Sequence, residues 1–415
     1  MRSLQRWQHR RDGVSHRLRR LPILTAAFGV MMVSSLPQPA LAATLEPEPV
    51  GTITSLPSPY PAHWLIVHDT AFNHMREGKL FIVDPRIPGG GQIKGILSAD
   101  FFASFLIGHA RNEFYVVESF HSRGGRGGER TDVVTIYDPA TLGVKAEVVV
   151  PAKRLTGMPN RFQTTLTGDG RFLLIYNYTP AQSVTVVDVV QQKVAEEVPL
   201  PGCAFTIPVA ARGFLSICSD GSARSTLLQE DGSVADAVRI PPFIDVDEDA
   251  MMEKPAIVNG VAYFPTFTGN LLPIDVSAHP ARVMASWSLT TAQERSAGWR
   301  PGGAWPAAGD AQGRVHVLMH SHGAEGTHKD GGDQVWSYDA ATGTRIGDFA
   351  LREWGLAITV AATDPASIIV TGAAGSIDLY SAQGDHNTTL DLQMEFPLFV
   401  HSLSPPSTRS EGGAR

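Results

Sequence analysis

The chain is poor in the residues and motifs that usually announce chemistry. Its 415 residues include two cysteines, Cys203 and Cys218. In an exported protein an isolated pair is expected to form a disulfide. Cys203 opens one strand-like run and Cys218 closes the next, so a turn between them sets the two side by side. No thiol then remains for catalysis. There is no Gly-x-Ser-x-Gly elbow, and no pair of carboxylates stands out as an acid–base couple. Charged residues make up only 18% of the chain. The one long apolar run, Leu21–Leu36, falls short of the roughly 20 residues that cross a bilayer.

That run belongs to a targeting segment. Seven arginines among residues 1–42 precede or flank it, and Ala40-Leu41-Ala42 supplies a small-x-small cleavage signature. The expectation is export, with 1–42 removed as a signal peptide and no membrane span afterwards. The leader carries a net +6, so its loss takes the formal charge from −7 to −13. Such an acidic chain excludes a nucleic-acid binder, which needs clustered Lys and Arg to displace counterions.

What is abundant is β-structure that repeats. Seven stretches end a short β-forming run at a turn. They are Leu80–Asp84, Val134–Asp138, Val184–Asp188, a weaker Ser225–Leu228 leading to Asp231, Leu271–Asp275, Val335–Asp339 and Ser376–Ser381. The steps between their last positions are 54, 50, 43, 44, 64 and 42 residues. A strand-borne period of roughly 40–50 residues is the mark of a β-propeller. The expected fold is therefore all-β: a seven-bladed β-propeller of four-stranded antiparallel blades. Residues 43–62 are read as an extended, proline-rich lead-in, 63–404 as the propeller and 405–415 as a disordered tail. Hairpin turn signals recur between the strand-like runs, at Gly168-Asp169-Gly170, Asp231-Gly232 and Asp310 to Gly313. Thr290–Ala297 lengthens the widest step and is read as a helical turn outside the blade. Either the early strand Trp64–His68 or the late Phe396–Val400 must close the ring, and the sequence leaves that choice open.

Three stretches have some of the residues that a binding site needs. His316, His320, His322 and His328 include a His-x-His that puts two rings on one strand face, as metal ligands require. The preferred reading is a histidine-rich loop. Asp245–Asp249 resembles the start of a calcium loop, but Ala250 and Ala256 stand where glycine and glutamate are needed. Gly124–Gly128 lacks the strand-to-helix setting of a phosphate cradle. No catalytic residue and no metal ligand is therefore assigned to this chain.

Several longer stretches carry a family likeness. These are Gly128–Val133 entering a strand that ends Tyr137-Asp138-Pro139; Thr164–Thr167 through Gly170 with Tyr178–Ala181; Gly298–Gly303; and the cysteine pair with its 15-residue separation. By these the chain resembles the heavy subunit of quinoprotein amine dehydrogenases. Pro151–Arg154 and Gly323–Lys329 resemble the aromatic-amine branch more than the methylamine branch.

The resemblance implies an α2β2 assembly with a small, cysteine-rich light subunit in the periplasm. That subunit carries tryptophan tryptophylquinone, where a primary, aromatic or aralkyl amine is oxidised to aldehyde and ammonia. Electrons then pass to a blue copper protein such as azurin or amicyanin. This chain would hold no cofactor of its own, and its tryptophans are read as packing or interface aromatics. Phe72, by family position, would line the substrate channel, and the loops around Phe72, His121 and Trp299 would meet the light subunit. The family often has an Asp-Gly turn where His109–Glu113 stands here. The alternative reading is a free-standing exported propeller that binds a protein without a redox role.

Overall fold

A computed structural model describes residues 55–157, 160–361 and 367–403. The expected signal peptide, most of the lead-in and the tail after Ser404 lie outside the described residues. Apart from one short α-helix and four 3-10 turns, the secondary structure is strand. It forms a β-propeller of four-stranded antiparallel blades.

The pairing gives six sheets. Sheet 1 runs, from its first strand outward, Pro397–Ser402, Leu65–Asp69, Glu77–Val83 and Ile93–Asp100. Sheet 2 holds Ser104–Gly108, Glu113–His121, Arg130–Tyr137 and Val144–Val150; sheet 3 runs from Thr164–Leu166 to Lys193–Pro199, and sheet 4 from Cys203–Val209 to Val234–Ile240. Sheet 5 spans Ala256–Val258 to Trp287–Ser288. Sheet 6 has eight strands where separate four-stranded blades were expected. The reason is Arg345–Ala361, a 17-residue strand. Its first part pairs with Gly332–Asp339 and its second part with Ser367–Gly372, with a register shift beside Gly355.

Burial explains the composition of the strands. A blade packs neighbours on both faces, so its middle strands must be apolar on both sides. Phe172–Asn177 and Ser183–Asp188 are buried at every position. Outer strands have a wet edge, and Val144–Val150 and Val234–Ile240 are largely exposed or half-buried. Hydrophobic clusters fill the gaps between successive sheets, for example Phe172, Val184 and Leu200 against Phe214 and Leu228. Another packs Leu65 and Val67 of sheet 1 against Ile369 and Leu379 of sheet 6. Closure comes from the late strand: Pro397–Ser402 pairs antiparallel with Leu65–Asp69 and becomes the first strand of sheet 1.

The seven repeated phrases all fall on the third strand of a blade or on the turn that ends it. Their acidic ends have a local job. The Asp138 Oδ1 accepts from the backbone N–H groups of Ala140 and Thr141, Asp188 Oδ1 from Val190 and Gln191, and Asp339 Oδ1 from Ala341 and Thr342. Asp84, Asp231 and Asp275 do the same for the residue two places on. A side-chain carboxylate thus stands in for backbone acceptors and turns strand three into strand four.

Antiparallel order then gives the sheets two unlike ends. At one end lie the connections between first and second and between third and fourth strands. Most are short, with 84–92 the exception, and the aspartate turns are among them. At the other lie those between second and third strands and from blade to blade, including the long loops 122–129, 241–255, 289–306 and 321–331 and the described parts of 151–163. The expected helical turn is there as Ala292–Ser296, capped reciprocally by Thr291 and Glu294.

Candidate functional site

The long-loop end collects the side chains that could meet another molecule. Among the described residues three aromatics are more than a third exposed: Phe120 at 48%, Tyr178 at 55% and Trp354 at 38%. All three stand at this end, with Met75 and Val246, also exposed, in its loops. Scattered exposed apolar groups are ordinary, but aromatics gathered at one end of a scaffold mark an interaction surface.

Phe72 lies in the loop between Leu65–Asp69 and Glu77–Val83, half-buried, with its ring 5.7 Å from that of Phe396. Two carboxylates hold this loop. Asp69 Oδ1 accepts from the N–H of Ala71 and of Phe396, and its Oδ2 accepts from that of Glu395. Glu395 Oε1 in turn accepts from the N–H of Asn73 and His74. The loop is thus tied to the segment entering the closing strand. His121 ends the strand Glu113–His121, and Trp299 sits in loop 289–306, its ring 4.9 Å from Trp336. Phe72, His121 and Trp299 therefore share one end of the molecule.

Beneath loop 151–163 a buried ionic cluster joins sheets 1 and 2. The guanidinium of Arg154 donates to Asp100 Oδ2 at 2.9 Å, to Ser119 Oγ at 2.7 Å and to the carbonyl of Phe102 at 3.0 Å. Asp132, fully buried, accepts from Ser119 Oγ and is bridged by Arg130 through two 2.7 Å bonds. Glu118 accepts from Thr135 Oγ1 at 2.6 Å and from the N–H of Asp100 at 3.1 Å. Burial pushes the Glu118 carboxyl up to about 7 and that of Asp100 up to about 6. The cluster fixes the loops from below.

The four histidines do not gather at one point, although the His320 and His322 rings lie 4.5 Å apart. His316 is buried within sheet 6, its Nδ1 2.8 Å from Ser337 Oγ and its Nε2 3.2 Å from Asp310 Oδ2. Ser337, His316 and Asp310 have the composition of a nucleophilic triad. They are, however, buried in strand and turn, where Asp310 also pairs with Arg314. The arrangement fastens a turn. Burial alone would raise the Asp310 carboxyl, but the hydrogen bonds from His316 and Arg314 outweigh it and hold it down at about 2. His320 is fully buried, and His322 lies beside Asp330 and Asp333 with its ring stacked on Trp354. His328 meets Phe267 edge-on. Among the described residues no group of three or more His, Cys, Asp or Glu is arranged to hold a metal ion.

The other sequence candidates also find places. Gly124–Gly128 is a hairpin loop between two strands of sheet 2. In the acidic loop, Asp249 accepts from Thr266 Oγ1, the N–H of Thr268 and Asn270 Nδ2, which anchors the neighbouring turn. Cys203 and Cys218 are cross-strand partners joined by a disulfide. Among the described residues no helix is long and apolar enough to cross a membrane.

Sequence reasoning missed Arg161, His68 and His401, which gather where the innermost strands converge. The available signal was a histidine in the otherwise apolar Leu65-Ile66-Val67-His68.

The model of the methylamine dehydrogenase heavy chain matches residues 62–390. The chain belongs to the methylamine dehydrogenase heavy chain family. It is 25% identical over 288 residues to the heavy chain of Methylorubrum extorquens, covering 66% of this chain and 70% of that one. Against the heavy chain of Paracoccus versutus it is 28% identical over 266 residues, covering 63% and 61%. Among solved structures it resembles the periplasmic gluconolactonase of Pseudomonas aeruginosa, with a TM-score of 0.55 at 13% identity, over 81% of this chain and 98% of that one. That likeness speaks to the fold alone. The family membership makes this chain a heavy-subunit homologue within an amine-oxidising system.

Proposed function

We propose that this chain is the heavy subunit of a periplasmic primary-amine dehydrogenase whose chemistry is carried by a separate, cysteine-rich light subunit. The observation that carries the reading is the long-loop end of a family member. Phe120, Tyr178 and Trp354 are exposed there, and a buried ionic cluster stiffens the loops. Trp64, Trp305 and Trp336 are buried and suit packing. Trp336, beside Trp299, is buried, donates to Gln334 and lies under the Arg345 guanidinium.

In this reading the ring has seven blades, the eight-stranded sheet counting as two that share Arg345–Ala361. The clusters that pair successive blades from first to last support that count. The light subunit supplies tryptophan tryptophylquinone, at which the amine is oxidised and from which electrons leave to a blue copper protein. This chain's part is to dock that subunit in an α2β2 assembly and to wall the approach to it. Phe72, held by Asp69 and Glu395, presents an apolar ring that shapes the amine's side chain. An apolar wall favours aromatic or aralkyl amines over methylamine, which has only one methyl group to bury against it. The likeness of Pro151–Arg154 and Gly323–Lys329 to the aromatic-amine branch supports the same choice.

The test is purification of the processed chain from its host grown on a primary amine. A coloured, cysteine-rich polypeptide in stoichiometric amount, and amine-dependent reduction of a dye, are expected. Colourless chain purified alone would overturn the reading.

A further inference from the structure

At the convergence of the innermost strands lies a cavity of about 150 Å³. Its polar wall is made by His68, Ser104, Asn160, Arg161, Thr164 and His401, and it contains neither Asp nor Glu. Arg161 reaches it from a 3-10 turn that starts where Asn160 Oδ1 accepts from the Phe162 N–H at 2.9 Å. Its guanidinium donates to Thr359 Oγ1 and to the carbonyl of Val400, and lies 4.9 Å from the Trp305 ring and 5.4 Å from that of Phe399.

These contacts leave the cation under-compensated. The Nε of Arg161 is buried and has no hydrogen-bond partner among the described residues. Burial is the cause that lowers Arg161, to about 10, and no carboxylate opposes it. It stays charged at neutral pH. Two rings face the same region without partners at Nε2: His68, 1% exposed, and His401, whose Nε2 is itself buried. Burial lowers the pKa of both, His68 to about 4, so both rings are neutral. Placing the proton on Nε2 makes each a donor. A buried charge without a partner is among the most unfavourable arrangements in a folded protein. Donors on several sides and acceptors on few describe an anion site.

We propose that this cavity binds a small monovalent anion, of halide or formate size, between Arg161 and the Nε2–H donors of His68 and His401. The volume accommodates such an ion with a few waters and is too small for a sugar acid or a nucleotide. The anion acts as a structural counter-ion, neutralising a guanidinium that bonds to the first strand of sheet 1 and to Arg345–Ala361. The site is independent of any partner.

The experiment uses the protein as purified from its host. Crystals soaked in sodium bromide are expected to show an anomalous peak within hydrogen-bonding distance of Arg161 Nε. In solution, chloride or formate should raise the melting temperature saturably, by roughly 3–6 °C at about a hundred times the dissociation constant, over gluconate at equal ionic strength. Arg161→Gln should abolish that difference; the diffraction experiment needs no variant. A cavity holding water alone in bromide, or equal melting temperatures in chloride and gluconate, would overturn the proposal.

Discussion

The two ends of the propeller solve different problems with the same strands. At the tight-turn end, aspartate carboxylates bind backbone N–H groups two or three residues away, so each turn is specified by its own short sequence. At the long-loop end, order comes from contacts distant in the chain. Arg154 reaches Asp100 across 54 positions, and the Phe72 loop is tied to Glu395 across more than 320. The first arrangement repeats because it is local, and it leaves nothing free to recognise a partner. The second varies from blade to blade, and variation is what a specific docking surface requires.

Breaking the long-loop end from below should have the largest effect. Arg154→Met leaves the buried Asp100 and Asp132 with less positive charge and should lower stability by about 3–5 kcal/mol, read from the midpoint of chemical denaturation. Loss of under about 1 kcal/mol would show that the cluster does not hold the loops. At the surface of the same end, the pair Tyr178→Asp and Trp354→Asp should release the copurifying polypeptide while leaving the denaturation midpoint within about 0.5 kcal/mol of the parent. At the tight-turn end, Asp188→Ala removes the acceptor for two backbone N–H groups and a partner of Arg171. A loss of about 1–3 kcal/mol with unchanged partner retention is expected. Partner loss in that variant would erase the distinction between the ends.

Acidity sharpens the contrast. Glu118 and Asp100 have folded-state pKa values above their ordinary ones, so the native cluster binds more protons than the unfolded chain. Their contribution is complete below about pH 4 and is lost as pH rises through about 6 to 7. Glu118→Gln removes much of this slope, so the variant should gain on the parent between pH 5 and pH 8 by on the order of 1–2 kcal/mol. An identical pH profile for the two proteins would show that Glu118 is not protonated in the fold. Smallest in its effect on stability, Phe72→Ala should shift the accepted amines toward different side-chain sizes while the subunits stay together. An unchanged amine profile would remove Phe72 from the channel wall.

What could be read from the sequence follows the same division. The repeated phrase was legible because its strand and its aspartate turn lie within five residues of each other. The cysteine pair was legible for a similar reason, each cysteine marking the end of an adjacent strand. The helical turn was legible as the polar run Thr290–Ala297 within the widest step. The closing strand was not legible, because both candidate strands are apolar and only tertiary pairing distinguishes them. The fusion in sheet 6 was hidden by Arg352-Glu353-Trp354, which reads as a break in a strand that continues through it. Arg161, His68 and His401 come from three distant segments, and no spacing in the chain brings them together.

Hydrogen exchange of the chain with and without the proposed light subunit tests the central claim most directly. Added protection is expected in 70–76, 122–129 and 321–331, with none in the aspartate turns at 138–143 and 189–192. Protection confined to those turns, or spread evenly over both ends, would contradict a docking face built from the long loops.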